Sequence, residues 1–208
     1  MRSLMMVLAL VAGSVAAAPV VTASQTTASS GTSHVVAIPA GAAGETIVVI
    51  VAASGVGGPN DPSFSTADAG WVTNFSAAPR DTPVAVFSKV SDGSEVSLTV
   101  NIAVAADAEA VAIRVDGSVG FAVSKNASGE SLSPNPMGKF VGVAGDRLVA
   151  AIAAAGSAVA GLPAGYGFPA GGSVLTVSYR SLLGTGDDPS AYSLAAVAKW
   201  QTLTLVFY

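Results

Sequence analysis

The sequence predicts an all-β chain folded as a two-sheet antiparallel β-sandwich, jelly-roll-like and built from two similar halves, on three observations. Short apolar runs alternate with clusters of Gly, Pro, Asp and Asn at a spacing of roughly 8 to 12 residues, which is the punctuation of sandwich strands. In "VSLTVNI" (96–102) and "QTLTLVF" (201–207) every second residue is apolar, as a strand with one wet face requires. The chain also writes one phrase twice. "GETIVVIVAASG" (44–55) and "GDRLVAAIAAAG" (145–156) each set an acidic residue in a glycine turn before an apolar run.

The N-terminal stretch "MRSLMMVLALVAGSVAAAP" has a basic Arg2, an apolar run from Leu4 to Ala12, and small residues at Val15 and Ala17. Residues 1–17 therefore read either as a signal peptide or as a first strand docked on the sandwich, and the run is shorter than the ~20 apolar residues a spanning helix needs. "APVVTASQTTASSGTS" (18–33) lacks a helical period and reads as an extended arm or a first edge strand. Residues 1–30 thus form an N-terminal segment and arm in which Val20 and Val21 are the candidates for adding to a neighbour's sheet, and residues 31–208 form the sandwich domain. Strands follow at 34–38, 46–53, 84–90, 96–104 and 109–115, then at 147–155, 173–182, 190–198 and 201–208. The alanines of "LVAAIAAA" favour helix by propensity, but the run occupies the place of "IVVIVAA" in the repeat, which assigns it to a strand. Residues 124–139, "SKNASGESLSPNPMGK", hold the densest turn signals and are expected to cross between the halves.

The half-repeats run at about 44–118 and 145–208. Gly70-Trp71 corresponds to Gly165-Tyr166, "VFSKV" to "VSYRS", "SDGSE" to "GTGDD", and "EAVAIRV" to "QTLTLVF". Neither half has enough strands to cover its own apolar face, so one jointly built sandwich is expected, with two tandem small sandwiches as the alternative.

Composition narrows the function classes. Apolar and aromatic residues make up 51% of the chain and charged residues 11%, below the roughly 25% usual for a soluble domain, so few charges keep neighbouring molecules apart. The net charge is −4 and the basic residues are scattered, which argues against nucleic-acid binding. No cysteine is present, which excludes disulfides, thiolate metal sites and thiol nucleophiles.

His34 is the only histidine and lacks the base-orienting partner of a triad, so an exposed or structural role is expected for it. The acidic loops with Asp61 and Asp68, and with Asp187 and Asp188, match no calcium-loop spacing and read as turns. No metal, no cofactor and no catalytic residue is expected. Trp71, Tyr166, Phe168, Tyr179 and Trp200 are candidates for a sugar-stacking surface, with Trp71, Tyr166 and Trp200 the foremost. The matching places of Trp71 and Tyr166 in the repeat favour packing instead.

The succession "SGTSHVVAIPAGAAGETIVVIVAASG", "SKVSDGSEVSLTV", "LSPNPMGKF", "GDRLVAAIAAAG", "PAGYGF" and "WQTLTLVFY", from about Ser29 to Tyr208, resembles a family of small β-sandwich proteins encoded among bacteriophage virion genes. That resemblance implies a non-enzymatic structural role on the particle, as a capsid decoration or cement protein or a tail appendage. The implied partners are copies of itself and other virion proteins. The alternative is an exported bacterial surface or carbohydrate-binding module with a cleaved leader.

Overall fold

In a computed structural model, residues 17–54, 63–77 and 82–208 are described, and no helix occurs among them. The predicted sandwich is there: two antiparallel six-stranded sheets face each other. The first sheet holds β1 (Val20–Ala37), β2 (Thr46–Ser54), β3 (Phe64–Ser65), β4 (Val72–Ala77), β5 (Val84–Val90) and β6 (Ser97–Asp116). The second holds β7 (Phe121–Val123), β8 (Ala127–Ser131), β9 (Lys139–Ala155), β11 (Gly167–Gly171), β12 (Leu175–Asp187) and β14 (Ala198–Phe207). A small ribbon pairs β10 (Val159–Gly161) with β13 (Ser193–Leu194).

Each sheet is made by one half of the chain, and the two orders are the same. The first runs β4-β5-β2-β6-β1 and the second β11-β12-β9-β14-β7, with β8 also pairing β14. The twice-written phrase is the central strand of each sheet, β2 and β9. Both are buried on both faces, which explains their continuous apolar runs.

Side chains from both sheets meet in one core. Val48, Ile50, Ala52, Val84, Val86, Val111, Ile113 and Val115 of the first sheet pack with Leu148, Ala150, Ile152, Leu175, Val177, Leu203, Leu205 and Phe207 of the second. This shared core is what the jointly built sandwich predicted. Each half adds an outer core of its own. Gly31 stands at φ 126° where the register of β1 on β6 jumps from Gly31↔Ala106 to Ser33↔Asn101. Beyond that bend the β1–β6 ribbon folds back over the outer face of its sheet, burying Val36, Leu98, Val100 and Ile102 against Val49, Val51, Ala85 and Phe87. In the second half Tyr166 and Tyr192 cover Val149, Ala151, Ala153 and Val206 in the same way.

Several sequence boundaries shift. The runs at 96–104 and 109–115 form one long strand, because a bulge absorbs the "AADA" break. The run at 190–198 is strand only at Ser193–Leu194, since Tyr192 turns inward onto the outer core. The crossing between the halves lies at 117–120, not at 124–139, because β7 and β8 already pair with β14. Residues 18–33 resolve to the edge-strand reading: β1 pairs with β6 along almost its whole length.

Candidate functional site

The buried polar groups sit at corresponding corners of the two sheets and differ in kind. In the first half Arg114 lies on the outer face of β6 with its side chain 0% exposed. Its Nη1 donates to Glu45 Oε2 at 3.2 Å and to Ser91 Oγ at 2.7 Å, and its Nε donates to the Pro39 carbonyl. Glu95 Oε2 lies 3.7 Å from Nη2, and Lys89 Nζ reaches Glu95 Oε1 at 2.9 Å. Burial alone would raise the Glu95 carboxyl. Hydrogen bonds from Lys89, the Asp92 N–H and Ser91 outweigh it and hold the group far below the usual carboxylate range. Glu45 is lowered likewise: desolvation is outweighed by bonds from Thr22, the Ala42 N–H and Arg114. The network ties the 38–45 and 91–96 loops to the sheet, and its ions satisfy one another.

The second half puts Val206 where the first has Arg114. Its corner is held by Arg180, whose Nη2 lies 2.5 Å from Asp187 Oδ2 and whose guanidinium stacks 5.0 Å from the Tyr166 ring centroid. The Tyr166 hydroxyl donates to the same carboxylate, and burial together with that charge pushes its pKa up. Asp187 is therefore committed within the protein. Asp188 is exposed, and Asp68 accepts from the Thr99 N–H at 2.7 Å as a loop cap. Asp61 and the side chain of Phe168 lie outside the described residues, as does the stretch 1–16. Among the described residues no group of three or more His, Asp or Glu is placed to share a cation.

His34 is 1% exposed. Its Nε2 lies 3.0 Å from the Gly31 carbonyl, which can only accept, so Nε2 carries the proton and Nδ1 accepts from Ser29 Oγ at 2.8 Å. The ring thus bridges the bend of β1, and no carboxylate is among its hydrogen-bond partners. Beside the bend runs a shallow groove of about 300 Å³ lined by Ala28, Ser30, Asp107, Glu109, Ser173 and Val174. Glu109 closes its floor by accepting from the Val174 and Leu175 N–H groups at 2.8 and 2.9 Å.

The aromatic candidates do not assemble into one surface. Trp71 packs on the outer core of the first sheet, while Tyr166 is buried in the outer core of the second, on the opposite side of the sandwich. Trp200 is half-buried beside β8, donating from Nε1 to Ser131 Oγ at 2.9 Å. The packing expected from the repeat is what the structure gives Trp71 and Tyr166. Val20 is exposed at 51%, whereas Val21 is half-buried against the inter-sheet core, so the pair belongs to a formed edge strand.

A feature that composition could not localise is an apolar end. The register places Val115, Thr46 and Val90 in one row across the first sheet, and Phe121, Phe207 and Leu148 in one row across the second. The 117–120 connection joins these rows, and the Ala17 backbone lies against Gly117. At this end Val20, Val90, Val119, Val143 and Leu183 are all more than half exposed, Val119 and Leu183 at 82% and 80%. No protein-family model matches the chain, and no curated protein or solved structure matches it significantly.

Proposed function

We propose that the protein is a non-enzymatic structural subunit of a bacteriophage particle, a capsid decoration or cement protein or a tail appendage, working by packing against other proteins. The observation that carries this reading is the apolar end. Val20, Val90, Val119, Val143 and Leu183 project there in a chain of which only 11% is charged, whereas scattered single apolar residues would need no explanation. The polar chemistry supports it. The buried ion pairs are bound up in the two corners, His34 and Glu109 are tied to Ser29 and to backbone groups, and Trp71 and Tyr166, which a sugar platform would need together, stand on opposite faces. Such a body, its ion pairs closed on one another, suits a part that contributes area and shape.

Mass spectrometry of purified particles tests the reading. Recovery of this chain at stoichiometric copy number is expected. A chain found only in the medium with residues 1–17 removed would establish the exported alternative instead.

A further inference from the structure

The two strand orders end in four edges, and three are guarded. β4 is short and carries a bulge at Asn74. β11 contains Pro169, which has no N–H to offer. β7 and β8 are broken at 124–126, with Lys125 in the break and an exposed Glu130 in β8. Natural sheets use short strands, bulges, prolines and edge charges to prevent edge-to-edge pairing. β1 has none of these from Ala23 to Gly31. Between Val20 and Gly31 there is no charged residue and no proline, and the pairing with β6 shifts only at Val21/Ala23. At about 3.4 Å per residue that edge is roughly 40 Å long. Among the described residues the backbone hydrogen bonds of this stretch go to β6 alone, which leaves its outward N–H and C=O groups with no described backbone partner. Among the described residues the polar contact from across the sandwich is a side-chain one, with Thr26 Oγ1 accepting from the Gly171 N–H at 3.2 Å.

We infer that the β1 edge, from Ala23 to Gly31, is a pairing site for a second copy of this chain, joining two first sheets antiparallel about a two-fold axis. The inference rests on the packing role proposed above and names its partner. Self-pairing is favoured by charge. Antiparallel copies put the same stretch opposite itself, and any charged residue there would meet its like across the axis, whereas Ser, Thr, Ala and Gln meet without repulsion. An isologous contact also closes after two copies, leaving the apolar end of each free for other partners. An edge with so few buried side chains falls at the small end of stable interfaces, below roughly 1,200 Å², so the dimer is expected to be concentration-dependent.

Because the natural chain has no cysteine, single-cysteine variants report position without interference. Ser24→Cys, Gln25→Cys, Ala28→Cys and Ser30→Cys, all at exposed sites, are compared with Ser76→Cys on the β4 edge. Under mild oxidation one β1 position should give at least about ten-fold more disulfide dimer than Ser76→Cys, with the yield falling away on both sides of it, since only residues near the axis bring their Cβ atoms within bonding range. Sedimentation of the unmodified protein should show a reversible monomer–dimer equilibrium, weakened by the double substitution Ser24→Lys/Gln25→Lys. It should be restored by mixing that variant with Ser24→Glu/Gln25→Glu. Equal yields at all sites, or a monomer at every concentration, would overturn the inference, as would a β1 edge occupied in particles by a different protein. The cross-linking and sedimentation results do not touch particle membership, and a dimer formed by a chain absent from particles would sink only the virion reading.

Discussion

The two halves of this protein share a strand order and divide at their corners. In the first half a fully buried Arg114 gathers Glu45, Ser91 and Glu95, while in the second the same place on β14 is taken by Val206, and the ions move out to Arg180 and Asp187. The shared core between the sheets is apolar and similar on its two sides. What differs is how each half closes its own outer layer, by an ionic lock in one and by tyrosines in the other. A repeated sheet can thus hold one packing solution at its common face while its free faces diverge, because only the common face must fit its partner.

The largest expected effect breaks the lock. Arg114→Met leaves Glu45 buried without its cation and Glu95 with Lys89 alone, and should lower stability by about 3–5 kcal/mol, read by denaturant unfolding. Arg147→Met, on β9 of the second half, loses bonds to the Asp146 and Val143 carbonyls and a contact with the Tyr208 ring, pairs with no buried carboxylate, and should lower it by about 1 kcal/mol. Equal losses would show that the halves are not distinct in this respect.

Acid sharpens the same contrast. Glu45 and Glu95 have folded pKa values below the ordinary 4.5, so the stability they add is complete above that pH and is lost as the pH falls through their depressed values. The melting temperature should drop steeply below about pH 4.5 and less steeply in Glu45→Gln/Glu95→Gln. Parallel curves for the two proteins would mean that the acid sensitivity lies elsewhere.

A smaller effect compares Glu109 with Gln201, which occupy equivalent places on β6 and β14. Glu109→Ala frees two N–H groups of the β11–β12 turn and should cost about 1–3 kcal/mol. Gln201 is fully buried, and among the described residues neither its amide nitrogen nor its oxygen has a hydrogen-bond partner. Gln201→Leu should therefore leave stability unchanged or raised, and a loss above about 1 kcal/mol would reveal a hydrogen-bond role.

The smallest effect on stability, and a large one on association, is expected at the apolar end. Val143→Ser/Leu183→Ser should shift unfolding by no more than about 0.5 kcal/mol per site while reducing incorporation into particles. Full incorporation would remove the apolar end from the proposed packing surface.

Much of the fold was legible because period-two alternation and a repeated phrase are local signals. They place β2, β5, β9 and β14, and they match Trp71 with Tyr166 and Lys89 with Arg180, pairs that the structure sets at equivalent points of the two sheets. The short edge strands β7, β8 and β11 escaped, since β7 spans three residues, too few to show a period, and the Ser, Gly and Pro of β8 and β11 carry no apolar rhythm. The apolar end was not legible either. Val90, Val119, Val143 and Leu183 are far apart in sequence, and only the meeting of the two sheets at 117–120 brings them to one place.

One residue of register marks the boundary between the two kinds of knowledge. Matched by its glycine turns, "GETIVVIVAASG" sets Val48 against Val149. In the sandwich Val48 and Ile50 face the shared core while Val149 faces outward, and Ala150 and Ile152 take the equivalent places. By itself the sequence determined that the chain is β, that it is written in two like halves, and which runs are buried, because these depend on composition and period. Which face of each central strand meets the other sheet, where the β1 ribbon folds back, and which edges remain open were decided by tertiary structure. A strand buried on both sides reads the same in either register, and only the partner sheet distinguishes its two faces.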